Sequence, residues 1–249
     1  MKKIRLDQLM VEQGYAEDLK QAGALIMSGA VYLENCKIDK AGQAVPVSAE
    51  LEVRAPGRKY VSRGGMKLEG ALRNFHIKPE GKICADLGSS TGGFTDCLLK
   101  HGARKVYAFD VGKGLLDWQL QGDSRIILRE KFNVRNISTN DVPETVELVT
   151  VDLSFISLRL IIPRISEVFP SADTLLLVKP QFEGKPEEID KGGVVRDLAK
   201  RLEILDRIKK TSVKHNFVIR GDMPSPITGQ KGNQEYFLWI RAERSNTQK

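Results

Sequence analysis

The chain has 249 residues, 41% of them hydrophobic and 29% charged, with a formal net charge of +7 at pH 7. That is enough for one large or two unequal domains with a real core. No apolar run approaches a membrane span, and Asp7 and Gln8 interrupt the basic N-terminus before a signal-peptide core can form. The three cysteines (Cys36, Cys84, Cys97) and three histidines (His76, His101, His215) are scattered, which argues against a disulfide framework, a zinc site or a histidine-based triad and reads as reduced thiols in a cytoplasmic protein.

In chain order, Ile4, Leu6, Leu9, Met10 and Val11 share a helical face across residues 4–15, with Asp7 near the start and Gly14 as the stop. Asp18 is placed to cap a second helix that carries Leu19, Ala22, Leu25 and Ile26 and ends at Gly29. Val31 to Leu33 reads as a short strand, Glu34-Asn35 as a turn, Gly42 as a second turn, and Leu51 to Val53 as a last strand. R-L-D-Q-L-M-V-E-Q-G followed by A-x-x-L-I-M-S-G-A-V-Y-L resembles the alpha-L type RNA-binding module over roughly residues 2–54. Asp18-Leu19 stands where that family has Ser-Arg, and Glu34-Asn35 where an Asn-Gly turn is commonest. RNA contact and a purely structural docking role therefore both stay open for this module.

Ala55-Pro56-Gly57 breaks the pattern, so the expected division is 1–57 for the module, 58–63 for a linker and 64–249 for the second domain. Residues 1–60 hold nine Lys and Arg against eight Asp and Glu, so the basic excess lies beyond them, at 30 against 24. It is dense at Arg58, Lys59, Arg63, Lys67 and Arg73, opposed only by Glu69. A solvated basic linker and a track for RNA phosphates fit equally on composition, and Arg58, Lys59, Arg63 and Arg73 are the candidate RNA contacts. Ser62-Arg63-Gly64-Gly65-Met66-Lys67-Leu68 opens a helix expected to run to about Phe75.

The second domain is organised around K-I-C-A-D-L-G-S-S-T-G-G-F, Lys82 to Phe94. A buried strand (Ile83–Leu87), a glycine-rich turn and a helix start put backbone N–H groups beside a ligand. A second strand, Val106 to Phe109, ends in Asp110, which is placed to take the hydroxyls of a ribose. Asp86 precedes the first glycine, where a carboxylate would repel a pyrophosphate but suit a cofactor carrying an ammonium and a sulfonium, such as S-adenosylmethionine. Strands at Ile126–Leu128, Leu148–Val151, Thr174–Val178, Phe217–Ile219 and Glu235–Ile240 follow, with helices at 158–169 and 198–212. This βα alternation predicts an α/β, Rossmann-like parallel sheet closed by an antiparallel pair.

In such sheets ligands bind at the carboxyl ends of the strands, where Asp86, Asp110, Asp152 and Lys179 all fall. Asp152 and Lys179 on neighbouring strands would face each other, and the fold could bring Lys67 and Glu235 to the same rim. The set suits methyl transfer to a hydroxyl, because a lysine can accept the acceptor's proton and a second can stabilise the alkoxide. Asp152-Leu153-Ser154-Phe155 stands in place of the Asn/Asp-Pro-Pro-Tyr motif of amino-group methyltransferases, which favours oxygen as the acceptor.

Residues 60–242 resemble the FtsJ-like RNA ribose methyltransferases, and the two-domain combination resembles the TlyA family of ribosomal RNA 2′-O-methyltransferases, often catalogued as hemolysins. The resemblance rests on S-R-G-G-M-K-L, D-L-G-S-S-T-G-G-F-T-D, D-V-G, D-L-S-F-I-S-L, V-K-P-Q-F-E, K-G-G-V-V and G-N-Q-E-Y-F-L-W standing in order. It implies a catalytic tetrad of Lys67, Asp152, Lys179 and Glu235, with Lys179 as the base. It also implies donor contacts from Asp86, Gly88, Ser89, Ser90, Thr91, Gly92, Gly93, Phe94, Asp110, Val111 and Phe155. The implied cofactor is S-adenosylmethionine and the implied partner ribosomal RNA or a ribosomal subunit, with no metal and no membrane. Tyr60 stands where the family's linker motif often has Trp. A catalytically idle RNA-binding or ribosome-assembly factor, and a cytolysin, are the alternatives.

Overall fold

The computed structural model describes residues 3–34, 36–53 and 59–242. The chain divides into two compact units, Met1–Arg58 and Lys59–Lys249. Asn35, Arg58 and the Ala55-Pro56-Gly57 break lie outside the described residues.

The small unit holds β1 (Lys3–Arg5), α1 (Leu6–Glu12), α2 (Leu19–Met27), β2 (Val31–Leu33), β3 (Cys36–Lys37), β4 (Ala44–Pro46) and β5 (Leu51–Val53). Helix α1 begins two residues later than the sequence pattern predicts. Ile4 is extended, paired across from Val45 in an antiparallel β1–β4 ladder, so its apolar side chain belongs to a strand. Strands β3, β2 and β5 form a second small sheet. Asp18 caps α2 as expected, accepting from Gln21 N at 2.7 Å. Leu6, Leu9, Met10, Ile26, Val31 and Val45 make one core.

The large unit runs α3 (Arg63–Asn74), β6 (Ile83–Leu87), α4 (Gly93–Lys100), β7 (Lys105–Phe109), β8 (Ile126–Arg129), β9 (Leu148–Val151), α5 (Ile162–Val168), β10 (Asp173–Val178), α6 (Pro180–Glu183), α7 (Leu198–Lys214), β11 (Phe217–Pro224) and β12 (Tyr236–Ala242). Its seven strands lie in the order β11-β12-β10-β9-β6-β7-β8. The five from β10 to β8 are parallel, and β12 is antiparallel to both neighbours. All five residues of β6 are buried, as a strand covered on both faces requires. Ile83, Ala85 and Leu87 face a core with α5 and α7, while Cys84 faces a core with α3 and α4.

Two features depart from strict βα alternation. The connections β7–β8 and β8–β9 carry only short 3₁₀ turns, at Trp118–Leu120, Val134–Asn136 and Thr139–Asp141. Strand β11 continues past Ile219 to Pro224 through a bulge between Ile219 and Gly221. The segment expected as a linker is structured where it is described: Lys59–Val61 dock on α4. Val61 N donates to Asp96 Oδ2 at 2.9 Å, Lys100 Nζ donates to Lys59 O at 2.7 Å, and Tyr60 is buried. No helix among the described residues is long and apolar enough to cross a membrane.

Candidate active site

A cavity of about 670 Å³ opens at the carboxyl ends of the parallel strands. Its floor is the turn from β6 into α4. Gly88 N and Ser89 N both donate to Phe109 O, at 2.9 and 3.0 Å, which pins the turn to the end of β7. Gly88 (φ 93°) and Gly92 (φ 90°) occupy left-handed backbone that only glycine adopts freely. A Cβ on Gly88 would also stand 2.4 Å from Asp152 O, and one on Gly93 2.1 Å from Ser62 Oγ. The glycines thus let the loop pass close under β9 and let the start of α3 rest on the start of α4. Gly88, Ser89, Ser90, Thr91, Gly93 and Phe94 line the cavity.

Asp86, expected at the donor, stands apart from the cavity and is fully buried. In a strand buried on both faces its side chain points into packing, where Thr95 Oγ1 donates to Oδ2 at 2.7 Å and Thr150 Oγ1 to Oδ1 at 3.1 Å. Burial pushes its carboxyl up to about 7, against the pull of those two hydroxyls. Asp86 is thus a post beneath the loop. Asp110 stands behind it: Ser90 N donates to Oδ2 at 2.8 Å and Gly112 N to Oδ1 at 2.7 Å, so the carboxylate shapes the turn. Gly92, Asp110 and the exposed Val111 are likewise absent from the cavity wall.

The other wall gathers charges from four elements. Asp152 follows β9 and Lys179 follows β10, its parallel neighbour, and they form an ion pair at 2.6 Å. Lys179 Nζ also donates to Ser154 Oγ at 3.0 Å. Glu235 arrives because β12 runs antiparallel to β10: Tyr236 lies opposite Val178, which brings the residue before it to the rim. Lys67, in the second turn of α3, meets Glu235 Oε2 at 2.6 Å. Gln181 Nε2 reaches Glu235 Oε1 at 3.5 Å. A Cβ on Gly229 would stand 2.0 Å from Glu235 Oε1, so a side chain there would displace the carboxylate. The structure therefore brings Lys67, Asp152, Lys179 and Glu235 around one cavity as two ion pairs, in which Lys179 and Glu235 are buried and Lys67 and Asp152 partly exposed.

Phe155 lies at the mouth, 89% exposed, with φ at 65° and its ring 4.9 Å from that of Phe182. Ser90, Phe155 and Lys231 all line the cavity and are three of the seven described non-glycine residues with positive φ. Each stores about 1–3 kcal/mol, a cost that clusters at functional sites. Ser89 Oγ and Gln181 Oε1 line the cavity as buried atoms without a hydrogen-bond partner, so the wall presents polar groups still open to a ligand.

Of the candidate RNA contacts, Arg63 lines the cavity and donates to Thr228 O at 3.2 Å. Lys59 is paired with Glu69. Arg73 is exposed in the last turn of α3, about 15 Å along the axis from Arg63 at 1.5 Å per residue. Arg58 lies outside the described residues. The sequence reading gave no site role to Ser154, Gln181, Lys231 or Asn233, all of which line the cavity. Ser154, Gln181 and Asn233 carried a signal, through their places two residues from Asp152, Lys179 and Glu235; Lys231 carried none.

The FtsJ-like methyltransferase family model matches residues 60–242. A candidate rRNA methyltransferase of Bacillus subtilis, YqxC, is 44% identical over 96% of this chain and 86% of its own. The 16S/23S rRNA (cytidine-2′-O)-methyltransferase TlyA of Mycobacterium tuberculosis is 38% identical over 97% of this chain and 91% of its own. Among solved structures, a candidate hemolysin of Streptococcus thermophilus superposes with a TM-score of 0.74 at 37% identity, covering 98% of this chain and 90% of its own.

Proposed function

Because this chain belongs to the FtsJ-like methyltransferase family, we propose that it transfers a methyl group from S-adenosylmethionine to a ribose 2′-hydroxyl of ribosomal RNA. The substrate follows the rRNA (cytidine-2′-O)-methyltransferase to which the chain is 38% identical, and it implies a cytoplasmic setting. One observation carries the reading: two partly buried ion pairs, Lys179–Asp152 and Lys67–Glu235, stand on the same cavity as a glycine loop and its unpartnered Ser89 hydroxyl.

The residues present fit the cofactor. The Gly88–Phe94 loop would hold it from beneath, with Ser89 Oγ as an unused polar group and Asp152 as the wall carboxylate nearest the loop. S-adenosylmethionine, when bound, supplies an electrophilic methyl group on a sulfonium. The remaining work falls to the protein, because a ribose hydroxyl is a weak nucleophile until it loses its proton.

Lys179, once its ammonium has given up one proton to solvent, accepts that proton as general base. Asp152 and Ser154 fix the position of its nitrogen through contacts of 2.6 and 3.0 Å. The ammonium of Lys67, held by Glu235, stabilises the developing alkoxide, as a preorganised cation in a partly dry site does. Phe155 and Phe182 present two apolar rings, tilted 50° to each other, at the mouth. Arg63 and Lys231 at the rim have no carboxylate partner among the described residues and suit the phosphates of a nucleic acid.

The test is methylation of ribosomal subunits with labelled donor, followed by alkaline digestion. The expected result is label in alkali-resistant dinucleotides, the mark of a blocked 2′-hydroxyl. Label on bases, or none with either subunit or their assembly intermediates, would overturn the reading in favour of a non-catalytic binding factor. Leakage from liposomes at low protein concentration would favour a lytic role instead.

A further inference from the structure

Glu183 is a buried acid, 4% exposed, one helical turn beyond Lys179 and absent from the cavity wall. Its carboxylate crosses from the β10 end to the β9 end of the site. Leu158 N donates to Oε1 at 2.7 Å and Ser157 Oγ to Oε2 at 2.6 Å. The segment it grips is the one that carries Asp152, Ser154 and Phe155. That segment needs restraint, because Phe155 is held in left-handed backbone with an exposed ring.

The chemistry requires an acceptor on both oxygens. Ser157 Oγ already accepts from Arg159 N at 3.2 Å and Arg159 Nε at 3.1 Å, so its remaining valence is its own O–H, which must donate. Leu158 N–H can only donate. A glutamine at 183 would turn an NH₂ toward one of these donors. Arg159 and Arg207 contribute a favourable field, while burial holds the Glu183 carboxyl above the ordinary range.

We propose that Glu183 is a positioning residue for methyl transfer: it locks the Asp152–Phe155 segment against the Lys179 segment, so that Asp152 and Ser154 meet Lys179 Nζ in the geometry the proton transfer needs. The two segments are then tied twice, at the cavity through Lys179 and behind it through Glu183. The assignment rests on the methyl-transfer reading above.

The experiment uses the full chain with ribosomal subunits and labelled donor, and compares wild type, Glu183→Gln, Ser157→Ala, the double variant, and Ile165→Val as a stability control in the α5 core. Glu183→Gln is expected to lower kcat at least about tenfold, because small misplacement of reacting groups is expensive. Its donor dissociation constant and its KM for RNA should stay within about threefold of wild type, since neither wall is removed. Ser157→Ala should fall in the same direction, and the double variant should be no worse than Glu183→Gln alone, as partners in one contact are non-additive. Ile165→Val should lose melting temperature yet keep kcat within about twofold, as a small core truncation far from the chemistry does. An unchanged kcat in Glu183→Gln, a loss confined to KM, or a matching kcat loss in Ile165→Val would overturn the assignment. If Glu183→Gln does not fold, Ser157→Ala decides by the same criteria. Absence of transfer by wild type would instead refute the methyl-transfer reading on which the assignment stands.

Discussion

The two walls of the cavity are built on opposite plans. The loop wall is drawn from one continuous stretch, Gly88 to Phe94, whose course is set by its glycines and by Asp86 and Asp110 standing behind it. The charged wall takes Lys67, Asp152, Lys179 and Glu235 from four places in the chain and holds them as two ion pairs. A backbone wall tolerates changes of side chain but not an added Cβ where Gly88 passes 2.4 Å from Asp152 O. A wall of paired charges tolerates loss of Lys67 or Asp152 poorly, because Glu235 or Lys179 then stays buried without its counter-ion; stranding a buried charge in this way costs about 3–5 kcal/mol. The loop wall should therefore govern donor affinity and the charged wall turnover.

The sharpest way to break that division is Lys179→Ala. Loss of the base should lower kcat by about 10²–10⁴-fold, the range general-base removal gives, while the donor dissociation constant measured by calorimetry stays within a few-fold. If donor binding fell as far as turnover, the walls would not be separable. Next in size is Lys67→Met, which keeps the stem but leaves the Glu235 carboxylate, only 2% exposed, without its cation. It should cost about 3–5 kcal/mol of unfolding free energy in a denaturant titration. Lys67→Met with Glu235→Gln should recover most of that loss without recovering activity. Failure of the double variant to recover stability would mean that the pair is not what holds α3 to the β12 end.

The same contrast decides what the sequence could reveal. The loop wall was legible because its determinants are local: a short apolar run, glycines at fixed spacing, an acid at the next strand end. What the pattern could not give was which way Asp86 points, since alternation in a strand buried on both faces sends every side chain into packing. Lys67 and Glu235 were reachable only through family resemblance. Their meeting depends on β12 entering the sheet antiparallel beside β10, a fact of topology with no local signal. Glu183 was invisible for the same reason: a single acid in Lys-Pro-Gln-Phe-Glu gives no hint that its partners lie 25 and 26 residues back in the chain. Elsewhere, Ile4 fitted the helical period and went into a strand because Val45 was there to pair with it. The missing helices between β7, β8 and β9 left edge strand β8 with Ile127 and Leu128 exposed, which alternation alone would have covered.

The smallest effect tests the loop wall by pH. The Asp86 carboxyl sits at about 7 in the folded protein, against an ordinary 3.8, chiefly through burial. Between those two values the folded state keeps a proton that the unfolded state has released, so stability falls as pH rises across that window, by up to about 1.4 kcal/mol per unit. Asp86→Asn is neutral throughout, and its amide can accept from one threonine hydroxyl and donate to the other. The melting temperature of Asp86→Asn relative to wild type should therefore climb from pH 5 to pH 8. Donor affinity at pH 6 should change no more than a few-fold, because the side chain stands beneath the loop and not on the wall. Parallel stability curves for the two proteins would show that Asp86 keeps its charge at neutral pH. The donor side would then rest, like the acceptor side, on a buried charge, and the contrast between a backbone wall and a charged wall would reduce to a difference in where the counter-charge comes from.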